Sequence, residues 1–119
     1  MTKLLLSLLL ILLLAGCFTN WTKADVYREA TWTALHGADW LQTRYIAQHP
    51  EQYKEYNPIL GSHPSVTEVD LYMGGWMVLH PIITDILPPE YRKYWQYITI
   101  GEKAFWVGHN YSIGIGFGW

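Results

Sequence analysis

The sequence contains a single cysteine, Cys17, so no disulfide can form within the chain. Charged residues make up only 15% of the 119 residues, and the formal net charge of −2 excludes a basic nucleic-acid-binding surface. The sequence also lacks the HExxH and GxSxG signatures of common hydrolases and a phosphate-binding glycine loop. These absences favour a protein that is not an enzyme, although they do not decide against a less regular catalytic site.

The longest hydrophobic run is Leu4–Leu14, which follows Lys3 and is interrupted by one serine. It is shorter than the roughly 20 apolar residues that a membrane-spanning helix needs. A positive residue, a short apolar run and then small residues, here Ala15 and Gly16, are typical of a signal peptide. We therefore expect residues 1–16 to be a signal peptide.

Leu14, Ala15, Gly16 and Cys17 resemble the lipobox of bacterial lipoproteins. The resemblance implies transfer of a diacylglyceryl group to the Cys17 thiol, cleavage before this residue, and acylation of the new amine, for example with palmitate. Two or three acyl chains give lasting membrane attachment, where one would be marginal. Because Phe18 rather than aspartate follows the cysteine, the resemblance implies the outer membrane and a periplasm-facing domain. An uncleaved signal anchor is the alternative.

The mature chain is rich in aromatic residues, since the sequence has 7 Trp and 9 Tyr. Aromatic rings with a polar tip favour the membrane interface, so contact with a lipid bilayer is one interpretation. An aromatic-rich core is the other. An envelope protein is a further candidate partner, and a nucleic acid is not.

Helix signals predict an all-α fold, in which residues 17–119 form one small three-helix bundle. The start signals are a capping-box pattern from Thr22 to Asp25, a second from Ser65 to Glu68, and the pair Pro89-Glu90. Proline ends the first two helices. The expected helices cover residues of about 22–48, 65–87 and 89–110.

The tail at residues 111–119 alternates large apolar residues with serine and glycine, which fits either a strand or a glycine-lined helical face. The apolar stretches Leu71–Leu87 and Ala104–Trp119 raise the possibility that the bundle is embedded in a membrane. Both are shorter and more polar than typical spans. An integral inner-membrane protein therefore remains an alternative to a lipid-anchored one.

Histidines and carboxylates recur at helical spacing. His36 and Asp39 are three residues apart, and Glu102 and His109 are seven apart, so each pair shares a helix face. If these faces converge, they could bind a divalent metal in the bundle. The alternative is that they hydrogen-bond one another to hold the helices in register. The candidate polar or metal site comprises His36, Asp39, Thr43, His80, Glu102, His109 and Asn110.

A second, faint resemblance covers Asp39 to Thr43 and the turn at Glu55, Asn57 and Pro58. These segments resemble small uncharacterised helical membrane proteins with an Asp/Thr helix and a Glu-x-Asn-Pro turn, a group that implies no activity. Asn57 before Pro58 favours a turn, and we expect Glu55 to reach back to the first helix as a structural latch.

Three functions remain open from the sequence. The first is a lipoprotein with a structural or interaction role in the bacterial envelope. The second is a membrane-embedded metal-dependent enzyme or transport-associated protein that uses the His and carboxylate residues. The third is an envelope or lysis lipoprotein of a phage or plasmid.

Overall fold

A computed structural model of the protein describes residues 2–4, 6–7 and 20–119. The lipobox and Cys17 lie outside these residues, as does most of the predicted signal peptide. Residues 2–4 and 6–7 are helical. Three helices follow residue 20: α1 at Lys23–Gln48, α2 at Val66–Ile86 and α3 at Pro89–Ser112. The described part of the chain contains no strand, so the all-α prediction is confirmed there.

The first two helices begin at the predicted capping residues. Thr22 Oγ1 accepts a hydrogen bond from the Asp25 amide at 3.1 Å, and the Asp25 carboxylate accepts one from the Thr22 amide at 3.0 Å. This reciprocal pair is a complete capping box. At α2 the Ser65 hydroxyl accepts from the Glu68 amide, while the Glu68 carboxylate bonds that hydroxyl rather than the backbone. α3 begins with Pro89 and has no side-chain cap.

The C-terminal tail differs from both predicted conformations. Tyr111 and Ser112 complete α3, which ends two residues later than expected. The following residues run without regular structure along α1, where the Gly118 amide donates to the Leu41 carbonyl at 2.7 Å. Ile115 is buried there. The alternating pattern is therefore neither strand nor helix, because the tail obtains its contacts from α1 rather than from a neighbouring strand.

α1 packs along both other helices, whereas α2 and α3 contact each other over a much shorter length. The interior they enclose is unusually polar. Among the described residues only five hydrophobic side chains are buried, and eleven polar or charged ones are. Buried polar groups require hydrogen-bond partners, so the helices are joined by polar contacts more than by an apolar core.

The outer surface shows the opposite composition. Large apolar side chains are exposed on α2 and α3, including Leu71, Ile86, Ile98 and Phe105, and Ile98 is 71% exposed. Trp32 is the one tryptophan in the described chain that is fully buried. No helix in the described residues is long and apolar enough to cross a membrane.

Candidate functional site

A buried cluster around Glu29 joins all three helices. Glu29 Oε1 of α1 lies 2.6 Å from His80 Nδ1 of α2. Its second oxygen accepts hydrogen bonds from Thr84 Oγ1 at 3.2 Å and from Gln96 Nε2 of α3 at 3.0 Å. The other imidazole nitrogen of His80 lies 2.8 Å from Thr99 Oγ1. The carboxylate is thereby fully engaged, and His80 serves the register role that was one of its two predicted functions.

A stack of rings crosses the interior beside this cluster. The Trp32 indole lies nearly parallel to the His80 imidazole, with ring centroids 3.6 Å apart, and to that of His36, at 4.6 Å. Trp95 of α3 also stacks on His80, at 4.8 Å. His80 therefore contacts two indole rings while its nitrogens bond Glu29 and Thr99. This arrangement fixes the imidazole in both position and orientation.

Arg92 is a residue of α3, and its side chain is buried against the C-terminal end of α2. Its guanidinium donates to the carbonyl oxygens of Thr84 and Asp85 at 3.0 and 3.1 Å, which lie in the last turn of that helix. It also approaches Asp25 of α1 at 3.7 Å. A cation at a helix C-terminus satisfies carbonyls that have no partner within the helix. Arg92 thus links the end of α2 to the starts of α1 and α3.

A cavity of about 890 Å³ is lined by side chains of α2 and α3. It is bounded by all three helices, the loop at residues 49–64 and the tail. Its volume falls at the upper end of the range typical of small-molecule sites, and sites between the helices of a bundle are common. Five aromatic side chains from the helices line it: Trp32, Tyr72, Trp76, Trp95 and Trp106.

Charged side chains also line the cavity. Lys103 Nζ of α3 donates to Asp39 Oδ2 of α1 at 2.7 Å, and both side chains are largely buried. Glu55 from the loop and Glu102 from α3 line the same space. Thr43 donates to the Asp39 carbonyl at 2.7 Å, within its own helix. The cavity therefore has an acidic wall with one lysine ammonium already paired.

The Glu-x-Asn-Pro turn is built from its own residues. Glu55 Oε1 accepts hydrogen bonds from the Tyr56 and Asn57 amides, each at 3.2 Å. Asn57 Oδ1 accepts from the Ile59 amide at 2.9 Å, and its amide nitrogen donates to the Tyr72 hydroxyl of α2 at 2.9 Å. The turn predicted from Asn57 and Pro58 forms, and its latch to the bundle runs from Asn57 to α2.

The expected contact from Glu55 to Gln42, Thr43 or Arg44 does not form. Glu55 bonds the loop, while Gln42 bonds the Val107 carbonyl and Asn110 of α3. Burial is the main cause that raises the pKa of the Glu55 carboxyl above its usual range, and the negative charge of Asp39 adds to it. Glu55 is therefore a half-buried carboxylate in which the ionised form is disfavoured.

His36 does not pair with Asp39, contrary to the prediction from their spacing. Its Nε2 lies 2.8 Å from the Met73 carbonyl of α2, while Asp39 is taken by Lys103. Since a carbonyl can only accept, His36 Nε2 carries a proton and donates it. Burial lowers the pKa of His36 to about 4, and the nearby Lys103 ammonium adds to this effect. The imidazole is neutral at pH 7, and its buried Nδ1 has no hydrogen-bond partner among the described residues.

Of the remaining predicted site residues, Glu102 and Asn110 line the cavity and His109 does not. Glu102 and His109 are exposed, and His109 packs against Phe105 and Trp106 on the outer side of α3. Asn110 is buried and donates to Gln42 of α1 at 3.2 Å. Within the described chain no group of three or more His, Cys, Asp or Glu residues could hold a metal ion. The predicted convergence of histidines and carboxylates on one metal does not occur there.

Several residues of the site were not predicted from the sequence. Their positions in the sequence could have identified them. Each follows the previous one by four or three residues in alternation, a spacing that places side chains on one stripe of a helix. On α1 the stripe is Asp25, Glu29, Trp32, His36, Asp39, Thr43 and Ile46. On α3 it is Arg92, Gln96, Thr99, Lys103, Trp106 and Asn110. A stripe with this spacing is usually apolar, whereas most residues of these two stripes are polar or charged.

Comparison of the chain with protein-family models, with curated proteins and with solved structures finds no match in any of the three. The case for a function therefore rests on the chain's own residues. Chemically, they provide two distinct regions. The Glu29 cluster is a satisfied polar core that holds the helices together, and the cavity beyond it offers carboxylates and aromatic faces to a ligand.

Proposed function

We propose that the protein is a small lipid-anchored component of the bacterial envelope with a binding role. Acyl chains on Cys17 would hold the domain at a membrane, and the cavity between α2 and α3 would receive a partner molecule. The observation that carries the binding role is the 890 Å³ cavity lined by both aromatic and charged side chains. A space of this size and lining is typical of ligand sites.

The anchoring part of the proposal is supported by the lipobox pattern from Leu14 to Cys17. The thiolate of cysteine is a good nucleophile, which is why this residue accepts the lipid in lipoproteins. Phe18 in the following position favours the outer membrane over the inner. Since Asn20, the first described residue after the signal, is exposed, the domain begins at its surface a few residues from the anchor.

The apolar outer surface supports contact between the domain and the bilayer. Exposed apolar and aromatic side chains on α3 include Tyr94, Tyr97, Ile98 and Phe105, and Lys93 lies next to this set. Aromatic residues with neighbouring lysines are typical of surfaces that rest at the lipid headgroup level. Contiguous exposed apolar patches also mark sites of membrane contact. With acyl chains nearby, the bilayer is the surface that this face would meet first.

Metabolic labelling with palmitate tests the anchor. The wild-type chain should incorporate label into a membrane-bound product, while Cys17→Ala should incorporate none. Ser7→Ala, a substitution within the apolar run, is the control and should be labelled like the wild type. Equal labelling of wild type and Cys17→Ala would rule out lipid attachment at this residue.

A further inference from the structure

The lining of the cavity combines negative charge with aromatic faces. Four acidic residues line it, Asp39, Glu51, Glu55 and Glu102, against two lysines, Lys54 and Lys103. The indole and phenol rings that also line it have electron-rich faces, which attract cations. An anionic ligand would be repelled by this lining, whereas a cation would gain from both the carboxylates and the rings.

We propose that the cavity binds an organic ammonium ion, with Glu55 and Asp39 as its carboxylate partners and tryptophan and tyrosine rings as its walls. This proposal rests on the binding role proposed above and names the class of ligand. Three features of the cavity support the proposal: the position of Glu55, the two lysine ammonium groups in its lining, and its aromatic side chains.

Glu55 has an oxygen available to a ligand. Both hydrogen bonds that its side chain makes within the described chain reach Oε1, from the amides of Tyr56 and Asn57. Among the described residues Oε2 has no partner, while Glu55 is half-buried in the cavity wall. Burial raises the pKa of this carboxyl and the negative charge of Asp39 adds to the effect, whereas the Lys103 ammonium acts in the opposite direction. A bound cation would favour the ionised form.

The protein already places ammonium groups against both kinds of lining. Lys103 Nζ donates to Asp39 Oδ2 at 2.7 Å, and Lys54 Nζ lies 5.5 Å from the centroid of the Tyr56 ring. The first is a charge-assisted hydrogen bond, and the second is a cation–π contact. A ligand ammonium between Glu55 and the rings would combine the two interactions at one site.

The aromatic walls account for the choice of an organic cation over a metal ion. Trp76 and Tyr72 come from α2, and Trp95 and Trp106 come from α3, so rings stand on both sides of the opening. Indole and phenol faces bind alkylated ammonium groups well, and they do not satisfy the coordination needs of a small metal ion. The described residues also contain no metal-binding cluster.

Isothermal titration calorimetry with choline, on the membrane-extracted protein in a non-ionic detergent, tests this proposal. Choline should bind, and its neutral isostere 3,3-dimethyl-1-butanol should bind at least tenfold more weakly. Glu55→Gln keeps an oxygen for the loop amides and removes the charge, so it should weaken choline binding at least tenfold. Glu90→Gln, an exposed change of the same kind outside the cavity, should leave the affinity unchanged.

Three results would overturn the proposal: no choline binding, equal affinity for the two compounds, or unchanged affinity in Glu55→Gln. Equal affinity would leave the binding role standing and reject only the cationic ligand. Loss of palmitate labelling is a separate readout, so failure of the anchor is distinguishable from failure of the ligand class. Competition by soluble dihexanoylphosphatidylcholine, compared with choline alone, tells whether the ammonium belongs to a lipid headgroup or to a free amine.

Discussion

The carboxylate of Glu29 and the imidazole of His80 meet in the centre of the bundle, with Oε1 2.6 Å from Nδ1 and both side chains buried. They lie 51 residues apart in sequence. Around this contact most of the buried side chains are polar, while many large apolar side chains are exposed. The stability of the fold should therefore depend strongly on a few hydrogen-bonded residues.

Removal of the Glu29 carboxylate should destabilise the protein severely. Glu29→Ala leaves His80, Thr84 and Gln96 buried without their shared acceptor. Breaking a buried polar pair from one side costs about 3–5 kcal/mol. Urea unfolding should show this loss, whereas Glu102→Ala, at an exposed site in the interior of α3, should change the free energy of unfolding by less than about 0.5 kcal/mol. Similar midpoints for the two variants would mean that the cluster does not stabilise the bundle.

His36 should make the protein less stable in mild acid. Its pKa is lowered from 6.5 to about 4 in the folded state by burial, so the unfolded chain binds a proton at a higher pH than the folded one. The stability from neutral His36 is complete above pH 6.5 and is lost as the pH falls towards 4. This loss amounts to about 3 kcal/mol.

His36→Gln removes this titrating group, and its amide nitrogen can take the place of Nε2 as the N–H donor to the Met73 carbonyl. Urea unfolding of wild type and variant at pH 7.5, 5.5 and 4.5 should give a smaller loss of stability in the variant. The difference between the two proteins isolates His36 from other groups that titrate. Parallel pH profiles would contradict a neutral, buried His36.

Gly118 should be intolerant of a side chain. A Cβ atom there would lie 2.5 Å from the Tyr45 amide nitrogen and 2.8 Å from the Arg44 carbonyl carbon. Gly118→Ala should therefore displace the tail and break its hydrogen bonds to Leu41 and Arg44. We expect a loss of about 1–3 kcal/mol in urea unfolding, with faster amide hydrogen exchange in the tail.

The matched control for the tail is Gly101→Ala. Gly101 lies in α3 with open space where its Cβ would be. Alanine favours the helix over glycine by about 0.5–1 kcal/mol, so this variant should be slightly more stable than the wild type. If Gly118→Ala and Gly101→Ala changed the free energy of unfolding in the same direction, the close packing of the tail against α1 would be refuted.

The outer face of α3 should contact lipid. A cysteine at Ile98, carrying an environment-sensitive dye, should show blue-shifted emission and quenching by brominated lipids when the protein is reconstituted in vesicles. Thr31→Cys, at an exposed polar position of α1, is the control and should show neither change. If the two dyes respond alike, the apolar surface does not rest on the bilayer.

Local features of the fold could be predicted from the sequence. Thr22 and Ser65 cap α1 and α2 as expected, because a cap needs only residues within one turn. The partners of His36 and Asp39 could not be predicted, because they come from Met73 on α2 and Lys103 on α3. Spacing along one helix gives a shared face, but the choice among contacts depends on which side chain of another helix lies opposite.

The orientation of α3 also could not be predicted from the sequence. Asn110 is buried and His109 is exposed, although the two are neighbours in sequence and both were predicted site residues. Hydrophobicity would have placed Ile98 and Phe105 inside and Lys103 outside. In the structure Lys103 points inward, where it donates a hydrogen bond to the Asp39 carboxylate of α1, while Ile98 and Phe105 are exposed.

The central claim, that the domain is anchored through lipid on Cys17, is tested most directly by the intact mass of the protein extracted from bacterial membranes. We predict a chain that begins at Cys17 and carries the additional mass of a diacylglyceryl group and an amide-linked acyl chain. An unmodified chain that still begins at Met1 would contradict the claim.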